Sequence, residues 1–148
     1  MLPAHLNPKS SSGAKEGYAM TPKAHHIRHG HGAVRPYLHG PVGLPEFVRR
    51  VFGAVELERF EFGPDSSHVE MEIGDSTVVI ETGELPPYVR PWIGSVCVYV
   101  PDVDAGYSRA LELGATALSV VQDKPYGERQ GGFVDTAGNT WWVATCSA

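Results

Sequence analysis

Hydrophobic and polar positions follow the same order twice along the chain. From Ala33 the alternating stretch AVRPYL predicts a strand, and LPEFVRRVF then places apolar residues at helical spacing. Three further stretches, VELERFEF, SHVEMEI and STVVIET, are predicted to be extended strands. The second half repeats this order: SVCVYV predicts a strand, VDAGYSRALEL a helix, and ALSVVQ, QGGFV and TWWVAT three strands. Each half is therefore predicted to be strand, helix, strand, strand, strand.

Both predicted helices carry end signals. Gly53 follows the first helix and Gly114 the second, and glycine is common just beyond a helix C-terminus. Asp102 stands at the N-cap position of the second helix. The proline-rich stretch TGELPPYVRP joins the two halves and is predicted to be a linker. The apolar face of the first helix consists of Leu44, Phe47, Val48, Val51 and Phe52.

Residues 1–32 differ in composition from the rest of the chain. They are rich in Ser, Gly, Pro, Lys and His and have no strand or helix periodicity, which predicts a flexible arm. Four histidines lie close together, but no Cys or carboxylate stands beside them at a defined spacing. We therefore interpret them as a solvated segment that binds metal adventitiously. They are His25, His26, His29 and His31.

Length and charge limit the classes of function. The 148 residues predict one domain, and their net charge of −5, without a Lys/Arg run, excludes the basic surface that nucleic-acid binding needs. Small molecules or proteins are the expected partners. No apolar run approaches the roughly 18 residues of a bilayer span, and no secretory signal is evident. We expect a cytoplasmic protein without a membrane partner, whose Cys97 and Cys146 stay reduced.

The repeated pattern, together with the stretches HVEMEIGDS, VYVPDVDAGYSRALELGA and YGERQGGFVDTAGNTWWVAT, resembles one known group of proteins. This is the vicinal oxygen chelate (VOC) superfamily of glyoxalases, bleomycin resistance proteins and dioxygenases, in its PhnB-like branch. The resemblance covers residues 33–148. It implies an α+β fold in which two βαβββ modules, 33–90 and 91–148, form a single domain with a curved, mixed, eight-stranded sheet. It also implies a homodimer, with an interface around Pro86, Pro87, Val89 and Trp92.

The resemblance further implies where a metal ion would bind. Members with metal chemistry take one ligand from the first and last strand of each module, and the matching positions here are Arg35, Val79, Ser95 and Trp142. Arginine has no lone pair to offer and the other three are poor ligands. We therefore expect no metal ion and no cofactor. A register slip of one residue leads to Pro36, Val78, Ile80, Val96, Trp141 or Val143, none of which is a His or a carboxylate.

Aromatic residues occupy several of the positions that face the expected cavity. Strand alternation places Trp141 in the core and turns Trp142 toward the cavity together with Tyr37 and Tyr99. Such a surface favours a flat, aromatic ligand. The alternative, in which Trp142 fills a collapsed cavity, stays open.

Polar residues on the same face allow several interpretations. Arg35 needs a carboxylate, among Glu70, Glu72, Glu81 and Glu128, or an anionic group of a ligand. His68 and Glu70 share one face and belong to a solvated edge, to an acid/base site or to an unusual metal site. Cys97 has no defined His beside it. Glu128 lies in YGERQGG, whose glycines predict a flexible rim at the cavity mouth.

Two functions from different classes remain. The first is a metal-free VOC protein that binds and sequesters an aromatic drug or metabolite, as bleomycin resistance proteins do. The second is a glyoxalase- or dioxygenase-type lyase or isomerase, with an acid/base site or with metal ligands such as His39, His68 and Glu70. No catalytic residue is assigned. The candidate ligand-binding residues are Arg35, Tyr37, His68, Ser95, Cys97, Tyr99, Glu128 and Trp142.

Overall fold

A computed structural model describes residues 25–147 of the chain. Residues 25–31 form a short segment with one 3-10 turn, Arg28–Gly30. A compact unit begins at Gly32 and contains all helices and strands that are described below. Most of the predicted flexible arm lies outside the described residues, and the boundary at residue 32 stays a prediction. No helix in residues 25–147 is long and apolar enough to cross a membrane.

The order of elements confirms two βαβββ modules. The first contains β1 (Tyr37–Gly40), α1 (Leu44–Phe52), β2 (Val55–Glu61), β3 (Ser67–Ile73) and β4 (Ser76–Thr82). The second contains β5 (Ser95–Tyr99), α2 (Val103–Glu112), β6 (Thr116–Lys124), β7 (Glu128–Val134) and β8 (Thr140–Cys146). We call these the first and second module.

Each module forms a mixed sheet of four strands. The strand orders are β1-β4-β3-β2 and β5-β8-β7-β6. The first strand of each module runs parallel to the last, and the other neighbours are antiparallel. The α+β class is confirmed, with the eight strands hydrogen-bonded as two sheets of four in the described part of the chain rather than as one continuous ladder.

The start of β1 differs from the prediction. The alternation predicted a strand over residues 33–38, whereas β1 spans Tyr37–Gly40. Pro36 has no N–H to donate to a ladder, so its carbonyl accepts from Val79 N at 2.9 Å and regular pairing begins one residue later. The alternation itself is correct, because Leu38 is buried while Tyr37 is half exposed.

The helices end where their sequence signals predict. Gly53 follows α1 with a left-handed φ of 67°, and its N–H bonds to Arg49 O. Asp102 caps α2, its Oδ1 accepting from Ala105 N at 3.1 Å. A left-handed backbone conformation is strained for a residue with a side chain but not for glycine. Gly53 therefore allows α1 to end at this position.

Aromatic side chains join the two modules in one core. Phe133 and Trp141, on β7 and β8, are fully buried. Phe52 of α1 lies with its ring centroid 5.0 Å from that of Trp141, and Phe47 lies 6.1 Å from Phe133. Each such pair stabilises the fold by about 0.5–1.5 kcal/mol beyond simple burial. The prediction that Trp141 belongs to the core is confirmed.

The turn DTAGN between β7 and β8 organises buried polar groups. Asp135 accepts from the backbone N–H of Ala137 and Asn139, at 2.8 and 3.0 Å, and from Trp141 Nε1 at 2.8 Å. Asn139 Oδ1 accepts from Gly94 N, and its Nδ2 donates to His39 O. The turn therefore ties β8 to the entrance of β5 and to β1 of the first module.

The strand predicted at QGGFV is confirmed and begins two residues earlier, so the flexible rim predicted at YGERQGG is wrong from Glu128 onward. Glu128 and the residues that follow it belong to β7, and Gly131 and Gly132 are buried. A Cβ on Gly132 would lie 2.7 Å from the ring of Trp142, and one on Gly131 would lie 2.8 Å from Val121. These glycines are required by close packing within the sheet rather than by flexibility.

Candidate functional site

The face of the first sheet opposite its apolar side carries a row of ionisable and aromatic side chains. Along β3 the residues Val69, Met71 and Ile73 point into the core, so His68 and Glu70 point the other way. His68 pairs with Glu81 of β4 in the ladder. The same face receives Tyr37 and His39 from β1 and Phe60 from β2.

A cavity of about 500 Å³ opens at one end of this face, and we call it the first cavity. Its volume lies within the range of small-molecule sites. The wall combines aromatic and aliphatic side chains with a few polar ones. It consists of Tyr37, Phe62, Ser66, His68, Glu81, Thr82, Glu84, Leu85, Pro86, Tyr88 and Val89.

His68 and Glu81 form a hydrogen-bonded pair in the wall of the first cavity. His68 Nδ1 donates to Glu81 Oε1 at 2.7 Å, because an ionised carboxylate can only accept. His68 Nε2 lies 3.9 Å from Glu70 Oε1. The rings of Tyr37 and Phe60 lie 5.9 and 6.1 Å from the imidazole. The pair therefore holds the imidazole in one orientation. When the imidazole is neutral, its Nε2 has a lone pair that can accept a proton.

The local electrostatic field on this face is shown by Tyr37. Burial raises the pKa of its phenol, and the carboxylates of Glu81 and Glu70 raise it further, while Arg35 lowers it less. Tyr37 is therefore a neutral hydrogen-bonding group at neutral pH.

Arg35 is paired with a carboxylate of the protein. Its Nη1 lies 2.6 Å from Glu70 Oε1, both side chains are largely buried, and its Nε donates to Gly32 O. This is one of the pairings that the sequence allowed. Arg35 is not part of the wall of the first cavity.

The corresponding face of the second sheet is built differently. The indole of Trp142 covers Gly132, and Trp142 is half-buried. Tyr99 donates its hydroxyl to Glu128 Oε1 at 2.5 Å, which raises the pKa of Tyr99 to about 12. Burial, and then Glu128, raises the pKa of the Cys97 thiol, which disfavours a nucleophilic thiolate.

A second cavity of about 360 Å³ lies between the modules near Cys97 and Tyr99. Most of its wall is aliphatic, with Asp75 and Ser76 as polar members. Trp142 lines neither of these two cavities.

The eight candidate residues thus fall into separate groups. Tyr37 and His68 line the first cavity, and Cys97 and Tyr99 line the second. The remaining four line neither: Arg35 pairs with Glu70, Glu128 with Tyr99, Trp142 covers Gly132, and Ser95 is exposed. Their role in ligand binding stays a prediction.

Several wall residues of the first cavity were missed by sequence reasoning. Glu84, Leu85, Pro86, Tyr88 and Val89 belong to the stretch interpreted as a linker, and Pro86 and Val89 had been assigned to a dimer interface. The available signal was the presence of Leu85, Tyr88 and Val89 in a segment too apolar for a free linker.

The positions of the superfamily's metal ligands do not fit a divalent ion. Arg35 is bonded to Glu70, Val79 is buried and aliphatic, and Ser95 and Trp142 provide no strong ligand atom. The register adds one correction: Glu81 lies on the same face two residues after Val79, opposite His39 of β1.

His39 is already engaged in other contacts. Its Nε2 donates to Gly83 O at 2.6 Å, and its ring lies 5.7 Å from that of Trp92. The face of the second module provides no His to complete a site with Glu81 in the described residues.

Solved structures with the same architecture define the class. TioX from Micromonospora sp. ML1 is 26% identical with a TM-score of 0.62, and the match covers 79% of this chain and 98% of TioX. A member of the glyoxalase/bleomycin resistance protein/dioxygenase superfamily from Sphaerobacter thermophilus is 20% identical, with a TM-score of 0.55 and coverages of 76% and 97%. The fosfomycin resistance protein FosX from Listeria monocytogenes is 16% identical, with a TM-score of 0.55 and coverages of 78% and 93%. The fold is that of the glyoxalase/bleomycin resistance/dioxygenase (VOC) superfamily.

Sequence relatives are more specific. The chain is 31% identical over 107 residues to Uncharacterized protein Mb0911c of Mycobacterium bovis. The match covers 65% of this chain and 70% of that protein. The match to Uncharacterized protein Rv0887c of Mycobacterium tuberculosis has the same identity and covers 62% of the relative, so this chain spans less than two thirds of its length. No family model matches the chain. The chain belongs to the same family as these mycobacterial proteins.

Proposed function

We propose that this protein binds a small organic molecule in the first cavity and needs no resident metal ion to do so. The observation that carries the proposal is the cavity itself, about 500 Å³ in volume and walled by three aromatic rings, those of Tyr37, Phe62 and Tyr88. Cavities of this size, with a mostly apolar wall and a few polar groups, are typical of small-molecule sites.

The residues of the wall favour a ligand with a flat, apolar body. Phe62 and Tyr88 are among the exposed large hydrophobic residues of the chain, so their rings are available to a ligand. Leu85 and Val89 add aliphatic surface, and burial of such surface stabilises a complex by about 25 cal/mol per Å² before the costs of association.

The biological role that we propose is sequestration of a drug or metabolite in the cytoplasm. It is supported by the shared fold with a superfamily that is named in part for bleomycin resistance. We also propose that residues 33–148 belong to the PhnB-like branch of the superfamily.

Binding is tested with the full-length chain after removal of metal by EDTA. Aromatic compounds that raise the melting temperature are titrated by isothermal calorimetry against Tyr88→Ala and Phe62→Ala, two changes in the wall of the first cavity. Tyr126→Ala is the matched control, because Tyr126 is also exposed but lies outside that wall. We expect the cavity variants to weaken binding by more than tenfold and the control to leave it unchanged. Equal affinities in all variants would overturn the assignment.

The metal-free part of the proposal is tested by elemental analysis. Because the sequence analysis interprets the arm histidines as adventitious metal ligands, the sample is the full chain with His25, His26, His29 and His31 changed to alanine. We expect less than one metal ion per ten chains. About one ion per chain, lost in His68→Ala, would contradict the proposal.

The His68–Glu81 pair favours a second candidate function, acid/base catalysis. The pair resembles an imidazole base that is oriented by a carboxylate. Such a base can remove a proton from the carbon atom next to a carbonyl group and return it. The test is deuterium uptake from D2O into carbonyl compounds that bind the protein. Uptake that is lost in His68→Gln, with binding retained, supports an enzyme. Uptake at the uncatalysed rate supports binding alone.

We further propose a homodimer. β2 and β6 each form one edge of their sheet, and Leu118 and Val120 on β6 are exposed. Open edges are usually covered in native proteins. Light scattering after size exclusion tests this proposal: a mass of about 32 kDa, twice the chain's 16.0 kDa, supports it, and 16.0 kDa contradicts it.

A further inference from the structure

We propose that the first cavity selects an organic cation, such as an amine or quaternary ammonium compound with an apolar body. This inference rests on the proposed function, because it names the ligand class of the same cavity. Its basis is the combination of carboxylates and aromatic rings in one wall.

The charged groups of the wall are all acidic, apart from the titratable His68. Glu81 and Glu84 contribute carboxylates, and no Lys or Arg belongs to the wall as the described residues form it. Glu84 is exposed on the segment after β4. An anionic ligand would meet two carboxylates with no fixed cation, whereas a cation would be attracted to both.

Aromatic rings add attraction for a cation. Tyr37, Phe62 and Tyr88 present three rings to the cavity, and the face of an aromatic ring carries negative electrostatic potential. Recognition of quaternary ammonium groups by several rings is an established use of this interaction.

Groups behind the wall also favour positive charge in the cavity. The carboxylates of Glu81 and Glu70 each affect the pKa of Tyr37 more than Arg35 does. Arg35 Nη1 is paired with Glu70, and Arg35 does not line the cavity. It therefore provides no binding group for an anion in the wall. The net charge of −5 acts in the same direction at longer range.

The selectivity is tested with three probes that share a phenyl ring and differ in charge. Benzyltrimethylammonium is cationic, benzyl alcohol is neutral and benzoate is anionic. Each is titrated by calorimetry into the full-length protein at low and at physiological salt. We expect the cation to bind on the order of tenfold more tightly than benzyl alcohol, and benzoate to bind most weakly. Added salt should weaken cation binding and leave benzyl alcohol unchanged.

Two substitutions separate the contributions of charge and ring. Glu84→Gln should weaken binding of the cation by roughly two- to fivefold without affecting benzyl alcohol. Glu112→Gln is the matched control, since Glu112 is an exposed glutamate at the end of α2, outside the wall. Tyr88→Leu should weaken cation binding roughly two- to fivefold, because it keeps apolar surface and removes the ring, whereas Tyr88→Phe should not.

The outcomes distinguish this inference from the function on which it rests. Benzyl alcohol or benzoate binding as tightly as the cation, with either one sensitive to Tyr88→Leu, overturns the cation preference and leaves the binding cavity in place. Failure of all three probes at millimolar concentration also overturns the cation preference, while the separate compound screen continues to decide the proposed function. Equal loss of cation affinity in Glu84→Gln and Glu112→Gln would show a long-range charge effect and overturn the assignment to this wall.

Discussion

Replacement of Asp135 by alanine removes the acceptor of the hydrogen bonds that organise the turn between β7 and β8. Three of its donors are backbone or indole N–H groups, from Ala137, Asn139 and Trp141, at 2.8–3.0 Å. Asn139 Nδ2, the fourth, keeps its bond to His39 O. The Asn139 N–H and Trp141 Nε1 are buried and lose their acceptor, at about 1–3 kcal/mol each.

The expected loss is therefore about 2–6 kcal/mol of the free energy of unfolding, a large part of the 5–15 kcal/mol of an ordinary domain. Asp135→Asn keeps one acceptor oxygen but turns an amide toward donors, so we expect a loss of about 2 kcal/mol. Asp123→Ala is the control, because Asp123 is an aspartate on the same sheet with an 83% exposed side chain, and its change should stay within about 0.5 kcal/mol.

The assay is urea unfolding followed by tryptophan fluorescence and circular dichroism, with unfolding free energies compared at equal m-values. Asp135→Ala within about 1 kcal/mol of the unchanged protein would refute the reasoning. It would mean that water or a rearranged turn satisfies the buried donors.

Three further predictions concern local geometry. Glu128→Gln should return the pKa of Tyr99 from about 12 toward its ordinary 10.0, since the carboxylate that stabilises the neutral phenol is removed. Ultraviolet titration against Tyr99→Phe measures this pKa, and an unchanged titration contradicts the prediction. Gly132→Ala should destabilise the fold by about 1–3 kcal/mol, because its Cβ would lie 2.7 Å from the Trp142 ring; an unchanged melting temperature would rule out this packing. Asp102→Ala should cost about 1 kcal/mol through loss of the α2 cap, with Asp102→Asn restoring most of it in urea unfolding, and equal losses in both variants argue against capping.

Elements with strict periodicity could be predicted to the residue. The bounds of α1 and β3 match the sequence pattern, because each has one face against the core and the other against polar surroundings. The bounds of β4 also match, although Val78, Val79 and Ile80 are buried in succession and that strand has no strict alternation. β1 started later than predicted, since Pro36 lacks the N–H that a ladder needs. Gly131 and Gly132 belong to the predicted strand QGGFV, where they make room for neighbouring side chains.

The candidate site was predicted less well than the fold. Trp142 and Tyr99 were expected in one pocket with Tyr37, but the structure places Trp142 over Gly132 and Tyr99 against Glu128. A non-periodic segment, residues 83–89, closes the first cavity, and no local pattern indicates where such a segment folds back. Tertiary contacts determine which residues form the wall of the first cavity. Sequence alternation indicates only which face of a strand a side chain occupies.

The most direct test of the central claim is nuclear magnetic resonance mapping of a bound aromatic compound on the EDTA-treated, full-length protein. The account predicts amide shift changes that cluster at the first cavity, around Ser66, Glu84, Leu85 and Val89, and that do not require added metal. Shift changes centred on Trp142, or binding that appears only after a divalent ion is restored, would contradict it.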